Sequence, residues 1–228
     1  YIPRFRLTSD TDNWSNNFER AVANFDEDPI TMGVAASQLC VKNVDKTSVK
    51  ALLFCSTSAP YAEKQNAAVI ATALDLPTTT LTLDIGGSLR AGTSAISIAI
   101  DMLNNIDGLI LVVASEARIA LPRTRLNDSL GDGAAAVLLG SQDALATIEV
   151  KITQHSMTYD LWRQSNARFI SQWEDRFISD NGLEMSLAQG ISTTLNQAGI
   201  TVSEIHKLAY NCSTVRQSQK IRAALKAN

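Results

Sequence analysis

The chain has 228 residues, of which 45% are hydrophobic and 19% are charged, a composition that can bury a core and excludes a disordered tail. Twenty Lys and Arg residues against 23 Asp and Glu residues give a net charge of -3, so no basic excess favours nucleic acid or an anionic membrane as a partner. No apolar run reaches the ~18 residues that a membrane-spanning helix needs.

The cysteine and histidine content limits the covalent and metal chemistry that we expect. Three cysteines do not make a disulfide framework, which is typical of a reducing, cytoplasmic setting. The two histidines, His155 and His206, come without any Cys-x-x-Cys pair, and this argues against a structural zinc site. We therefore expect neither a metal nor a covalently bound cofactor.

The predicted elements of residues 1–155 alternate between helices and strands. An amphipathic helix over Asp28–Val41 comes first, with Ile30 and Leu39 among the apolar residues of one side. The order is then strand Ala51–Ser56, helix Ala59–Leu74, strand Thr79–Ile85, helix Leu89–Leu103, strand Gly108–Ala114 and two strands, Ala134–Leu139 and Ala146–Gln154. This order predicts an α/β fold with a mostly parallel sheet that ends in a hairpin and carries helices on its faces.

The pattern changes after residue 155, where we place a domain boundary. Tyr159–Arg176 is rich in aromatic and charged residues and shows little periodicity. A second helix–strand unit follows as helix Gly182–Ala198, strand Glu204–Asn211 and helix Ser213–Ala227. Residues 1–155 and 156–228 are therefore predicted to be two α/β units, the second of them incomplete.

Several stretches of sequence together carry a family resemblance. They are YIPRFRL at Tyr1–Leu7, FDEDPITMGVAA at Phe25–Ala36, CSTSAPYAEKQNAAVIATALDLP at Cys55–Pro77, LDIGGSLRAGTSAI at Leu83–Ile96, VVASEAR at Val112–Arg118, GDGAAAVLLG at Gly131–Gly140 and YDLWR at Tyr159–Arg163. The ordered set resembles the thiolase superfamily, most closely its 3-hydroxy-3-methylglutaryl-CoA synthase branch, with ketoacyl synthase III as a more distant relative. The resemblance implies a thiolase-like fold of two βαβαβαββ halves packed in five layers, usually in a dimer. This chain would hold the first half and part of the second, without the glycine-rich segment that brings the family's catalytic Asn.

The family's chemistry uses a cysteine at the start of the buried central helix. There the helix N-terminus lowers the pKa of the thiol, and backbone N–H groups hold the developing oxyanion. The thiolate takes an acyl group from coenzyme A, and a second acyl-CoA reacts with the acyl-enzyme. The segment Leu83–Ile96 aligns with this turn without a gap, and the cysteine position falls on Leu89. Leucine has no nucleophile, and the adjacent Ser88 lacks a partner base in the sequence.

Two further catalytic positions of the family also differ in this chain. The synthase branch places a Glu general base after its second strand, where Thr57 stands here. The superfamily's His follows a strand of the second half, and Asn211 is the best match to that position. Loss of the nucleophile, the His and the Glu together argues against ordinary Claisen or aldol chemistry.

The resemblance also implies a substrate pocket shaped by two turns, each of which has a structural interpretation as well. The residues are Gly86, Gly87, Ser88, Gly131, Asp132 and Gly133. The glycines could simply allow a close approach of strand and helix, or a turn before a strand. Cys55 and Cys212, at predicted strand ends near the pocket, are either buried and inert or a relocated nucleophile. Glu116 and Arg118 follow the third strand and could form a structural ion pair.

These observations predict a degenerate acyl-CoA-condensing subunit that binds a coenzyme A thioester or supports a catalytic partner. The resemblance implies a homo- or heterodimer that pairs through the edge strand Thr79–Ile85, and complexes with a catalytic thiolase and a small oligonucleotide-fold protein. A rival function is an active acyltransferase that forms C–C bonds from acyl-CoA with Ser88, Cys55 or Cys212 as its nucleophile. A third is a purely structural interaction protein with a closed pocket.

Overall fold

The computed structural model describes residues 1–8, 19–157, 160–174, 177, 183–210 and 215–227 of the chain. They fall into two compact units, Tyr1–Leu145 and Ala146–Asn228. The units divide at Leu145, whereas the sequence pattern placed a boundary after residue 155. That the two units correspond to the two halves of a thiolase-like fold stays a prediction.

The first unit is built around a four-stranded mixed sheet. Its elements are β1 (Phe5–Thr8), β2 (Glu19–Val22), α1 (Pro29–Cys40), β3 (Val49–Cys55), α2 (Asn66–Ala73), β4 (Leu81–Ile85), α3 (Ala91–Met102), β5 (Leu109–Glu116), α4 (Arg125–Ser129) and β6 (Gly133–Leu139). The strand order is β4-β3-β5-β6, in which β4 and β5 run parallel to β3 and β6 runs antiparallel to β5. β1 and β2 form a separate antiparallel pair. The mostly parallel sheet predicted from the sequence is confirmed.

Alternate residues of the central strands face two different helical layers. Leu52 and Phe54 of β3 are buried in a cluster with α1 and α2, which includes Ile30 and Ile70. The alternate residues Ala51, Leu53 and Cys55 are buried on the other face, against the small residues of α3. Because both faces are covered, residues 51–55 of β3 form a continuous apolar run rather than an alternating pattern.

Helix α1 begins and ends as the sequence predicts. Asp28 is its N-cap: the N–H of Thr31 donates to Asp28 Oδ1 at 2.8 Å, and the N–H of Asp28 donates to Thr31 Oγ1 at 2.7 Å. This reciprocal capping box satisfies donors that the first turn leaves without an intrahelical partner. Pro29 occupies the first helical position, where its missing N–H costs nothing.

Helix α2 is shorter than the predicted helix over Ala59–Leu74, which was wrong at its start. The helix begins at Asn66, seven positions further along the chain. The Asp84 carboxylate of β4 sets this start, because it accepts the N–H of Asn66 and the N–H of Ala67, both at 2.7 Å. Pro60, a residue type that favours the first turn of a helix, lies in the irregular segment before the helix.

The second unit contains two short strands, β7 (Leu161–Trp162) and β8 (Ser171–Gln172), and two helices, α5 (Leu183–Ala198) and α6 (Val215–Ala227). β7 and β8 pair antiparallel, and α5 packs on α6 around Ala188, Ile221 and Leu225.

Two predicted strands of this second region were wrong in the part that the structure describes. Residues 146–154 form no strand, so the hairpin predicted between them and β6 is absent, and β6 pairs with β5 alone among the described strands. Residues 204–210 also form no strand, and Asn211 lies outside the described residues. A strand is stable only beside a neighbour, and within the described ranges neither segment has one. Within those same ranges, no helix has the length and apolar character to cross a membrane.

Candidate functional site

One edge of the four-stranded sheet gathers most of the residues singled out in the sequence. β3, β4 and β5 are parallel, so their carboxyl ends lie at the same edge, which is where α/β proteins commonly bind ligands. Gly133 begins β6 opposite Glu116, the last residue of β5, and so belongs to this edge too. The residues brought there are Cys55, Thr57, Gly86, Gly87, Ser88, Leu89, Glu116, Gly131, Asp132 and Gly133.

Leu89 lies in the turn just before α3, where its side chain is 47% exposed. The N-cap residue of α3 is Arg90, whose side chain makes no capping hydrogen bond to the helix. A guanidinium has no acceptor atom and cannot cap amide N–H groups. The start of α3 therefore keeps the positive end of the helix dipole facing this edge, beside an apolar side chain.

The glycines and the serine before Leu89 shape this turn. A Cβ on Gly86 would come within 2.9 Å of the Ser56 carbonyl oxygen, so any side chain there would push β4 away from β3. Gly87 has a φ of +74°, a conformation that favours glycine. Ser88 Oγ accepts the N–H of Arg90 at 3.3 Å, a local turn bond that supplies no base to activate the hydroxyl.

Cys55 is the last residue of β3, and its surroundings bear on whether its thiol could be a relocated nucleophile. Its side chain is buried against α3, and its thiol donates to the carbonyl of Leu53. Burial, together with the nearby Glu116 carboxylate, raises the pKa of the thiol to about 12. The thiolate is the nucleophilic form, and it is scarce at neutral pH. The inert interpretation of Cys55 is therefore favoured.

Thr57 contacts a carboxylate that sequence reasoning did not connect with it. The backbone N–H of Thr57 donates to Glu116 Oε1 at 2.8 Å, and Thr57 Oγ1 donates to the same carboxylate at 3.0 and 3.1 Å. Ser58 Oγ donates to Glu116 Oε2 at 2.6 Å and accepts the N–H of Ala117 at 2.9 Å. The parallel register of β3 and β5 explains this contact. Cys55 pairs with Ala114, so Thr57 and Glu116, each two residues further along the chain, come to lie beside each other.

This network holds the segment after β3 onto the end of β5. Its donors engage both oxygens of Glu116, and the ion pair with Arg118 considered from the sequence is not among the salt bridges of the described residues. The carboxylate thus stands beside the position that the resemblance assigns to a Glu base, but it arrives from another strand. Its hydrogen bonds to Thr57 and Ser58 give Glu116 a structural role, since they link the segment after β3 to the end of β5.

The Gly131-Asp132-Gly133 turn is bound to the neighbouring hairpin. Asp132 Oδ2 accepts the N–H of Ala23 at 2.9 Å, and the N–H of Asp132 donates to the carbonyl of Ala21 at 3.0 Å. Burial raises the pKa of Asp132 above its usual value, although the Ala23 N–H and Arg20 act in the opposite direction. The turn therefore has a clear structural function in joining β6 to the end of β2.

Asn211 and Cys212 lie outside the described residues, as does Tyr159 of the YDLWR stretch. Within the described part of the chain, no group of three His, Cys, Asp or Glu side chains is arranged to hold a metal ion.

Comparison with curated proteins decides the family. No protein-family model matches the chain. The hydroxymethylglutaryl-CoA synthase of Aeropyrum pernix is 35% identical over 161 residues, which cover 69% of this chain and 45% of that protein. The hydroxymethylglutaryl-CoA synthase of Thermococcus onnurineus is 25% identical over 227 residues, which cover 95% of this chain and 65% of that protein. The chain belongs to the thiolase superfamily, in its hydroxymethylglutaryl-CoA synthase-like branch.

Solved structures agree with this thiolase-like assignment at the level of the fold. A 3-oxoacyl-[acyl-carrier-protein] synthase III from Aquifex aeolicus matches 99% of the chain with a TM-score of 0.85 and 18% identity, over 78% of its own length. A hydroxymethylglutaryl-CoA synthase complexed with CoA matches 91% of the chain with a TM-score of 0.80 and 15% identity, over 53% of its own length. The thiolase-like chain thus spans roughly half to two thirds of the curated synthases that it resembles.

Proposed function

We propose that this chain is a degenerate acyl-CoA-condensing subunit, which binds a coenzyme A thioester at the carboxyl edge of its sheet without forming an acyl-enzyme. The observation that carries the proposal is Leu89, which stands in the turn that leads into α3, just before the N-cap residue Arg90, at the position where the resemblance places the cysteine nucleophile. The curated relatives are named as hydroxymethylglutaryl-CoA synthases, and one of the matching structures contains CoA, which supports a CoA thioester as the ligand class.

The surroundings of Leu89 support loss of covalent chemistry rather than its relocation. Cys55 is buried with a pKa of about 12, and Ser88 Oγ is engaged by a backbone N–H. Thr57 donates hydrogen bonds where the family would have a carboxylate base. An active acyltransferase with Cys212 as its nucleophile stays an alternative, and acylation would reveal it.

We further propose that the chain works beside a second thiolase-fold chain, in a homo- or heterodimer with an interface well above ~1,000 Å². In a heterodimer, the partner would carry the intact Cys and His, and this chain would be its scaffold. A catalytic thiolase and a small oligonucleotide-fold protein are the partners that the family resemblance suggests. The reducing, cytoplasmic setting expected from the cysteine content belongs to the same proposal.

Calorimetric titration of the purified chain with coenzyme A tests the binding part of the proposal. We expect a single binding event, which Ser88→Glu weakens about tenfold because a carboxylate at the start of α3 competes for its N–H groups and repels the phosphates, a cost of ~1.4 kcal/mol.

Ser141→Glu is the matched control, because Ser141 is exposed and follows β6 at the opposite edge of the sheet. It should bind coenzyme A like the unaltered chain. Absence of binding at millimolar coenzyme A would instead support a structural protein with a closed pocket, and equal weakening by both variants would remove the site from this edge.

A further inference from the structure

The hairpin of β1 and β2 lies apart from the four-stranded sheet. Among the described strands β1 pairs with β2 alone, and the two form a sheet of their own. All four side chains of β1 are exposed, including Phe5 at 58% and Leu7 at 46%. A two-stranded hairpin is only marginally stable by itself in water. The position of this hairpin therefore depends on the contacts that its strands make with neighbouring elements.

Asp132 makes two of these contacts, both with the edge of β2. Its N–H donates to the carbonyl of Ala21 at 3.0 Å, and its Oδ2 accepts the N–H of Ala23 at 2.9 Å. A residue of a parallel neighbouring strand would bond to the same two groups, with its own carbonyl in place of the side-chain oxygen. The Asp132 carboxylate thus completes a strand-like contact that joins the hairpin to the start of β6.

Arg20 makes a further contact between β2 and the same region. Its guanidinium donates to the carbonyl of Leu130 at 3.1 Å and to Asn127 Oδ1 at 3.5 Å. Among the described residues, Arg20 is the one whose charge changes the pKa of Asp132. The other charged side chains on the elements around Asp132 are Glu19, Asp26, Glu27, Glu116, Arg125 and Asp128.

The Asp132 carboxyl is half-buried where β2 and the residues after it cover it. This burial raises the pKa of Asp132 above its usual value, although the Ala23 N–H and Arg20 lower it. If the hairpin moved away, water would reach the carboxyl, and its pKa would return towards the usual ~3.9. The closed hairpin therefore binds the proton of Asp132 more tightly than an open one does.

We propose that Asp132 is a latch for the β1–β2 hairpin, which is closed firmly while its carboxyl is neutral and is loosened when the carboxyl is ionised. The sign follows from linkage: the form that binds the proton more tightly is favoured by acid, so closure is strongest at low pH. It weakens as the pH rises from the usual pKa of an Asp through the raised pKa of Asp132. Because Gly133 next to the latch lies opposite Glu116, the hairpin is connected in this way to the carboxyl edge of the sheet. The inference goes beyond the proposed function and does not depend on a bound thioester.

Hydrogen–deuterium exchange of the full chain, measured by mass spectrometry on peptides from β1 and β2, tests the latch. Asp132→Asn keeps an oxygen that can accept the N–H of Ala23 but cannot ionise. At neutral pH we expect its hairpin amides to exchange severalfold more slowly than those of the unaltered chain. Asp132→Ala removes the acceptor, and its hairpin should exchange faster than that of the unaltered chain. A purely structural hydrogen bond would instead make Asn no better than Asp.

Asp107→Asn is the matched control, because it removes the same charge from an exposed position just before β5. Its hairpin should exchange like that of the unaltered chain. Peptides from α1 provide the reference within each chain, since this helix is held by its own capping box and by the core.

Acidification of the unaltered chain tests the same latch without a substitution. At about pH 3.5, below the usual pKa of an Asp, we expect hairpin protection relative to α1 to rise, after correction for the intrinsic exchange rate, and to match that of Asp132→Asn. No such rise, or equal exchange of the Asp and Asn chains at neutral pH, would overturn the latch. A difference between the two chains that persists at acidic pH would assign the titration to another group. Should Asp132→Asn fail to fold, the pH dependence of the unaltered chain decides.

Discussion

Two neighbouring residues at the start of α3 define the chemistry available to this chain. Leu89 offers an apolar side chain where the family resemblance assigns a thiol, and Ser88 offers a hydroxyl that is hydrogen-bonded to the turn itself. The helix N-terminus behind them can still stabilise negative charge on a thioester oxygen, because that property belongs to the backbone. The proposed binding of a thioester therefore does not require a nucleophile at this position.

Restoring the thiol alone should recover only part of the chemistry. We expect Leu89→Cys to be acylated slowly by acetyl-CoA, because the helix start favours the thiolate, but to lack synthase turnover, because general acid–base catalysis contributes about 10²–10⁴-fold. Intact-mass time courses and a turnover assay measure the two effects separately.

Ile98→Cys is the control for this variant, since Ile98 is a similarly exposed position further along α3, away from its N-terminus. It should acylate more slowly than Leu89→Cys. Full synthase turnover in the Leu89→Cys chain would show that the positions assigned to Thr57 and Asn211 are misplaced.

At the scale of elements, the contact between β4 and α2 positions the edge strand. The Asp84 carboxylate accepts two backbone N–H groups at the start of α2, and a third bond from Asn66 Nδ2 at 2.9 Å. Asp84→Ala removes these acceptors, and we expect a loss of ~1–2 kcal/mol in the free energy of unfolding, as for a helix cap. Urea titration followed by circular dichroism measures it.

Lys46→Ala gives a matched comparison, because it deletes the exposed ion pair between Lys46 and Asp75. Exposed pairs of this kind contribute ~1 kcal/mol or less, so the urea midpoint should move less than in Asp84→Ala. Equal midpoints for the two variants would mean that Asp84 does not anchor α2.

Local sequence signals predicted the elements whose stability is local. The apolar run of β3 and the apolar spacing of α1 were sufficient, because burial on both faces and an amphipathic pattern are visible in the sequence. The start of α2 was missed, because its acceptor Asp84 comes from the following strand. The Thr57–Glu116 contact was missed for a similar reason, since it depends on the register between two strands.

In the second unit, the sequence pattern predicted strands that the described residues do not form. Residues 146–154 have a strand-like pattern, yet no described strand lies beside them. Pattern alone therefore overestimated strand content, because a strand depends on hydrogen bonds to a neighbour that the local sequence does not specify.

At the scale of the whole molecule, the carboxyl edge of the sheet has the backbone architecture of a thiolase-like fold. Gly86 and Gly87 still allow the turn before α3, and the ends of β3, β4 and β5 still converge. We therefore expect a protein that recognises a thioester without acyl transfer to the chain and that associates through β4.

The intact mass of the purified, unaltered chain after incubation with acetyl-CoA distinguishes thioester recognition from acyl transfer. Because Leu89 has no nucleophile and the pKa of Cys55 is raised to about 12, we expect the mass to remain that of the unmodified chain. A stoichiometric acetyl adduct, mapped to Ser88, Cys55 or Cys212, would show instead that the chain is an active acyltransferase.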